Sequence, residues 1–139
     1  MYTSDFIGFL GWVTAVSFGI AILNFFSKYI HKRYVSKLGK EHQQLIDLYR
    51  KVMKLIIKNH KLAGFVAVTA VLTHFFIAYS NGMIYLTGSI SAIIMGTIFV
   101  LGFYGAFINK NYKAWWLKAH RLLAFGLIFT IAAHVLLKF

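Results

Sequence analysis

The four long runs of uncharged residues constrain the fold of this chain more than any other feature. The runs cover residues 6–27, 62–82, 83–108 and 122–137. An α-helix needs about 20 predominantly apolar residues to cross the hydrocarbon core of a bilayer, and the first three runs reach that length. The last run reaches it if its helix begins near Trp115, with Lys118 and Arg121 extending their charged ends to the membrane surface. Tyr112, Trp115 and Trp116 are predicted to form an aromatic belt that anchors this end of the helix at the interface.

The composition assigns the chain to the membrane class. It is 60% hydrophobic and only 13% charged, so a soluble domain of this size would lack polar surface. We therefore predict an all-α membrane protein, a single four-transmembrane-helix bundle over residues 1–139. The predicted helices are residues 6–27, 60–80, 83–108 and 116–138. The chain has no cysteine, which excludes disulfides, iron–sulfur clusters, zinc–thiolate sites and covalently attached haem.

The basic residues are distributed unevenly between the loops. Of the fifteen, ten lie in residues 28–61 and four in residues 109–121, whereas the turn at 80–83 has none. Cytoplasmic loops are enriched in Lys and Arg, so the chain is predicted to have both termini outside and its second and fourth helices parallel. The net charge of +12 is then expected to reflect topology and either anionic lipid or an acidic partner, rather than nucleic acid. The first helix is expected to be an uncleaved anchor.

The larger basic loop contains a segment with helical periodicity, residues 41–58. Its apolar residues recur at helical spacing and form one stripe. The stripe consists of Leu45, Tyr49, Val52, Met53 and Ile56. We predict an amphipathic cytoplasmic helix between the first two transmembrane helices. Two interpretations remain open, namely a helix on the membrane surface and a docking surface for an acidic redox partner.

Four histidines in the apolar stretches share one spacing. His60 and His74 are 14 residues apart, and so are His120 and His134. Fourteen residues bring both side chains of a pair to one helix face, about 21 Å apart along the axis. In the predicted topology His60 lies opposite His120 near the cytoplasm (the inner pair), and His74 lies opposite His134 near the other surface (the outer pair). A short repeat, residues 58–65 over residues 118–125, supports this correspondence.

Two facing histidines are the axial ligands that a six-coordinate electron-transfer haem requires. We therefore predict two haem b groups, with iron bound by His60 and His120 at the inner site and by His74 and His134 at the outer site. A lone membrane histidine is more simply an interhelical hydrogen-bonding group, but two matched pairs favour ligands. A zinc site would need a tetrahedral cluster, and the two pairs are too far apart to form one.

Basic residues and glycines complete the predicted sites. Lys61 and Arg121, with Lys58 and Lys118, are predicted to face the haem propionates at the inner level. At the outer level the corresponding residues are Ser80, Asn81, Tyr85 and Lys138. On the third helix Gly88 and Gly102 are again 14 residues apart. They either admit the ring by close backbone approach or serve helix packing, and both interpretations stay open.

This pattern resembles the membrane b-type dihaem cytochromes, above all the four-helix haem-binding half of the cytochrome b of quinol-oxidising complexes. It is also similar to ferric-reductase-like membrane domains. The matching positions are His60, His74, His120 and His134, with Gly88 and Gly102 as weaker matches. The later helices and quinone-site motifs of cytochrome b, a fused flavin or nicotinamide domain and a glycine pair on the first helix are absent. The resemblance implies electron transfer through two stacked haems, without quinol oxidation or ferric reduction.

The expected function is thus transmembrane electron transfer, by a small cytochrome b or a membrane subunit of an oxidoreductase system. A reaction at a haem edge or with a quinone is left open, so we do not assign an enzyme activity. The expected location is a bacterial cytoplasmic membrane. The expected partners are the bilayer and a redox protein or quinone, with a homo-oligomer as an open alternative and no nucleic acid. Alternatives are a small transporter whose histidines handle protons or metal ions, and a structural subunit.

Overall fold

A computed structural model describes residues 2–111 and 113–137 of the chain, and these residues contain helices and no strand. Within this described part of the chain, four helices are long and apolar enough to cross a membrane, which confirms the predicted helical fold class. They are α1 (Tyr2–Arg33), α2 (Gln43–Ser80), α3 (Leu86–Phe103) and α4 (Trp115–Leu137). A π-helical turn, Tyr104–Ile108, continues α3. Lys138, at the predicted end of the fourth helix, lies outside the described residues.

The basic segment between the first two membrane helices is not the separate surface helix that its periodicity predicted. After α1 the chain makes two short 3-10 turns, Val35–Lys37 and Lys40–His42, and then enters α2. Helix α2 has 38 residues and is about 57 Å long, nearly twice the thickness of the hydrocarbon core. Residues 43–58 belong to it because no proline or glycine interrupts the chain until Gly64.

The first part of α2 is held by α1 rather than standing alone. The Tyr49 hydroxyl donates a 2.8 Å hydrogen bond to the Ser27 carbonyl of α1. Ile46 is buried, as is Val35 in the connecting turn. The predicted apolar stripe is therefore divided, because Tyr49 faces α1 while Leu45 and Val52 remain exposed.

The bundle consists of two antiparallel pairs, α1 with α2 and α3 with α4, joined by contacts between α2 and α3. Its core is a cluster of buried hydrophobic residues to which all four helices contribute. We call four of them the middle layer, and they are Phe18, Ala67, Met95 and Leu127. Ala67 and Leu127, both fully buried, are each seven residues from the two histidines of their own helix. Seven residues correspond to about 10.5 Å, so the middle layer separates the inner pair from the outer pair.

The two tryptophans at the start of α4 have different environments. Trp115 is 67% exposed and can anchor the helix at a membrane interface, as predicted. Trp116 is only 4% exposed, so its expected role as an interface anchor is wrong. Its ring packs against Gly105 of the π-helical turn, where there is no space for a side chain. The third member of the predicted aromatic belt, Tyr112, lies outside the described residues.

Replacing Gly105 by alanine should destabilise the protein, because the added Cβ would overlap the Trp116 ring. Overpacking of this kind typically costs about 1–3 kcal/mol. The measurement is thermal unfolding of the purified protein in detergent. Gly96→Ala is the matched control on the same helix, since its Cβ would enter open space and alanine favours a helix over glycine. Equal unfolding temperatures for the two variants would contradict the packing of Trp116 on Gly105.

Candidate cofactor site

The structure brings the four spaced histidines together in two pairs. The ring centres of His60 and His120 are 6.4 Å apart, and those of His74 and His134 are also 6.4 Å apart. Helices α2 and α4, which carry these residues, are not among the helix pairs whose backbones pack closely in the described part of the chain. Each histidine pair therefore bridges a gap between two helices.

The separation within each pair suits one metal ion between two imidazoles. An imidazole nitrogen binds a metal ion at about 2.0–2.1 Å, and the ring centre lies roughly 1.1 Å behind it, so two opposed imidazoles have centres roughly 6.3 Å apart. Both observed separations are 6.4 Å. The side chains thus stand at the distance that two imidazoles would need to bind one metal ion between them.

Three of the four imidazoles are oriented by the backbone of a neighbouring helix. Each donates a hydrogen bond from Nδ1–H, because a carbonyl oxygen can only accept. The three bonds join His60 to Ala21 O (2.9 Å), His74 to Ile7 O (2.9 Å) and His120 to Ile98 O (3.0 Å). With the proton on Nδ1, the lone pair of the neutral ring is on Nε2, which is then free to bind a metal ion. A bond of this kind fixes the ring and increases its basicity as a ligand.

His134 is oriented differently. Its Nδ1 lies 3.2 Å from the Thr87 hydroxyl, and the ring of Tyr85 is 6.0 Å away between centres. Helix α3 begins only at Leu86. It therefore has no helical turn before Gly88 whose carbonyl group could accept a hydrogen bond from His134. Because a hydroxyl can donate or accept, this contact orients the ring without fixing which nitrogen carries the proton.

Glycines stand beside three of the imidazoles. A Cβ atom would lie 2.8 Å from His134 Cε1 if placed on Gly88, 3.2 Å from His120 Cε1 on Gly102 and 3.4 Å from His74 Cε1 on Gly11. Gly88 therefore lies beside the outer pair and Gly102 beside the inner pair. Gly11 was missed, because no second glycine follows it at 14 residues.

The fourth equivalent position is occupied by Phe25. Gly11 lies four residues after Ile7, and Gly102 lies four residues after Ile98; each of these two carbonyls accepts a hydrogen bond from a histidine. Phe25 lies four residues after Ala21, whose carbonyl accepts from His60 in the same way. The Phe25 ring makes an edge contact with Phe125 of α4, with centres 5.1 Å apart. Helix α1 thus carries a phenylalanine at the position near the inner pair that corresponds to Gly11, whereas the outer pair has glycine on both flanking helices.

A cavity of about 610 Å³ opens at the outer pair. His74, His134, Gly11 and Gly88 all line it, together with Gly8. Its volume falls in the range of about 300–1,000 Å³ that small-molecule and cofactor sites occupy. The absence of side chains at the glycines creates part of this space, so the outer pair borders an open cavity lined by residues of all four helices.

The basic residues predicted for the propionates lie at the rim of the inner site. The Lys61 ammonium is 5.7 Å from the Phe107 ring centre, and the Arg121 guanidinium is 5.6 Å from the Phe25 ring centre. Both side chains are exposed, and cation–π attraction favours these positions. Lys58 and Lys118 are exposed as well. That these four basic residues contact haem propionates stays a prediction.

The outer residues predicted for the same purpose are less suited to it. Ser80 donates to the Phe76 carbonyl at 2.9 Å, and Asn81 donates to the Ile77 carbonyl at 2.7 Å. Tyr85 lines the cavity and Lys138 lies outside the described residues. Of this group, Tyr85 is the residue that the structure brings next to a histidine of the outer pair.

The residue types around each pair favour a metal ion whose remaining ligands come from a bound cofactor rather than from the protein. In residues 2–111 and 113–137, no group of three or more His, Cys, Asp or Glu side chains is arranged to hold a metal ion. Zinc in a structural site takes four ligands, of which a pair of imidazoles supplies two. Haem iron takes only its axial ligands from the protein. The donor set of each pair therefore fits haem.

The remaining two histidines lie in the basic segment. His42 is exposed and 3.8 Å from the carboxylate of Glu41. His31 is partly buried, and its ring stacks on Tyr49 with centres 6.1 Å apart. Neither contact involves the inner or the outer pair.

Comparison of the chain with protein families, curated proteins and solved structures gives no match. The resemblance to b-type cytochromes therefore stays a prediction from the histidine spacing.

Proposed function

We propose that this chain is a small dihaem b-type cytochrome that carries electrons across a membrane. The observation that supports it best is the arrangement of four histidines in two pairs, one above the other along the bundle. In each pair the ring centres are 6.4 Å apart. Haem supplies reversible one-electron chemistry at its iron when bound. In this proposal His60 and His120 hold the inner iron, and His74 and His134 hold the outer iron.

Other residues of the chain would prepare these ligands. The carbonyl groups of Ile7, Ala21 and Ile98 hold three rings with Nε2 free. Gly11, Gly88 and Gly102 keep the space beside the rings clear. The middle layer fills the bundle between the pairs with apolar side chains, which excludes water and keeps the two sites apart. Lys61 and Arg121 would place positive charge at the rim of the inner site.

The direction of transfer depends on the orientation in the membrane. We propose that the inner pair lies toward the cytoplasm, because the basic loops flank it, in a multi-pass protein of a bacterial cytoplasmic membrane. An electron crossing the full membrane field gains or loses about 2.3 kcal/mol per 100 mV. A redox protein or quinone would exchange electrons at each side, and the outer cavity offers a place for a reaction at a haem edge.

The test is the haem content of the purified protein and its reduced-minus-oxidised absorption spectrum. We expect a b-type spectrum and about two haems per chain, as two bis-histidine sites require. Haem-free protein from cells with an adequate haem supply would contradict the proposal. Proton or metal-ion uptake by vesicles containing such haem-free protein would support the transporter alternative instead.

A further inference from the structure

Helix α2 carries a stripe of exposed side chains that neither the bundle nor the histidine pairs use. Before the predicted membrane span, the stripe consists of four large apolar residues, each 48–61% exposed. They are Leu45, Leu48, Val52 and Leu55, at positions i, i+3, i+7 and i+10. Apolar side chains in an unbroken row on a segment outside the membrane mark an interaction surface.

The same spacing continues into the membrane span. Steps of three and four residues continue to alternate, first to the partly buried Asn59 and then through exposed positions. These exposed positions are Leu62, Val66, Thr69, Thr73 and Phe76. The average step is therefore 3.5 residues, whereas a straight helix repeats every 3.6. A stripe with this period stays in contact with another helix only if the two wind around each other as a left-handed coiled coil. The partner must be a helix about as long as α2, which a second copy of α2 is.

Two features within the stripe favour pairing with a copy of the same helix. Asn59 is the polar residue between the apolar part outside the membrane and the part within it. A single asparagine at such a position pairs with its copy and fixes the register of a two-stranded coiled coil. Thr69 and Thr73, four residues apart, are small enough to let two helices approach closely inside the membrane.

The charges beside the stripe also favour a parallel copy. Lys51 and Lys58 flank it on one side, whereas the other flank has Tyr49 and Ile56. In a parallel pair of identical helices, each flank faces the opposite flank of the partner. Lys51 then faces Ile56 of the other copy and Lys58 faces Ala63, so no two like charges are opposed. An acidic helix would find cations along only one flank.

We propose that the chain forms a parallel homodimer through this α2 stripe, with Asn59 of the two copies side by side. The proposal is independent of haem binding, because the stripe lies outside the histidine pairs.

The test uses the absence of cysteine from the chain. Leu48→Cys and Leu55→Cys are made singly in the full chain and exposed to a mild oxidant in membranes. We expect most of each variant to migrate as a disulfide-linked dimer on a non-reducing gel. Arg50→Cys, at the same depth on the other face of α2, is the control and should give about tenfold less dimer, because a disulfide needs Cα atoms within about 7 Å.

Equal cross-linking of Leu48→Cys and Arg50→Cys would indicate random collision and overturn the proposal, and so would monomer from all variants. Linkage of the stripe cysteines to a different protein would show that another partner covers the stripe, which also overturns it. A second measurement is the mass of the protein in detergent. A Leu48→Glu and Leu55→Glu double variant should fall from two chains to one with its haem content unchanged, whereas Arg50→Glu should remain dimeric. A dimeric double variant would contradict the proposal.

Discussion

Replacing His120 by alanine is expected to reduce the haem content from about two per chain to about one, because the inner iron would lose one of the two ligands that we propose for it. His60→Ala should remove the same component of the difference spectrum, since the two rings face each other at 6.4 Å. His74→Ala and His134→Ala should each remove the other component. A His60→Ala and His120→Ala double variant should lose no more haem than either single variant, because we propose that the two residues hold the same iron.

The controls for this series are the two histidines outside the pairs. His42→Ala should leave both haems in place, because His42 is exposed and contacts Glu41. His31→Ala should do the same, although it removes the stacking on Tyr49. Haem per chain and the difference spectrum are measured on variants that retain a sharp thermal unfolding transition. Haem loss in His42→Ala, or loss of both haems from every folded single variant, would refute the ligand assignment.

Gly88→Leu is expected to abolish haem binding at the outer site and leave about one haem per chain. The reason is steric, because even a Cβ at this position would lie 2.8 Å from Cε1 and 3.2 Å from Nδ1 of His134. The rest of the leucine side chain would enter the cavity that the glycine leaves open. Gly102→Leu should have the corresponding effect at the inner site, where a Cβ would lie 3.2 Å from His120 Cε1.

Gly96→Leu is the matched control for both glycine variants. It lies on α3 between the other two glycines, and a Cβ there would meet nothing within 4 Å. All three variants exchange a helical glycine for leucine, so they share the same gain in helix propensity. Haem content and the difference spectrum again provide the measurement. Retention of both haems in Gly88→Leu would show that the outer cavity is not the haem site.

The four helices followed from local sequence, because membrane spans need only length and apolarity. The histidine spacing was equally local, since the pitch of one helix determines which residues share its face. Pairing across helices needed one further step, the parallel direction of the second and fourth helices. The structure brings His60 next to His120 and His74 next to His134, as that step predicted.

Other parts of the candidate site were decided only by tertiary structure. Gly11 became recognisable when packing brought it to His74, a residue far along the chain. Phe25 likewise became recognisable as the counterpart of Gly11 only through the hydrogen bond from His60 to Ala21, four residues before it. Trp116, which was predicted to anchor the helix at the membrane interface, is buried because Gly105 leaves room for its ring. Contacts of this kind depend on which side chains meet between separate helices, and no spacing within one helix specifies them.

The sequence by itself thus determined the helical membrane class and the faces that carry the histidines, because both depend on properties of single helices. The tertiary structure decided that α2 continues unbroken from Gln43 to Ser80 and that its first part packs on α1 through Tyr49. It also decided which carbonyl groups orient the imidazoles and which glycines leave them space. Those features arise where two helices approach each other, and the distance and rotation between helices are set by the packing of the whole bundle.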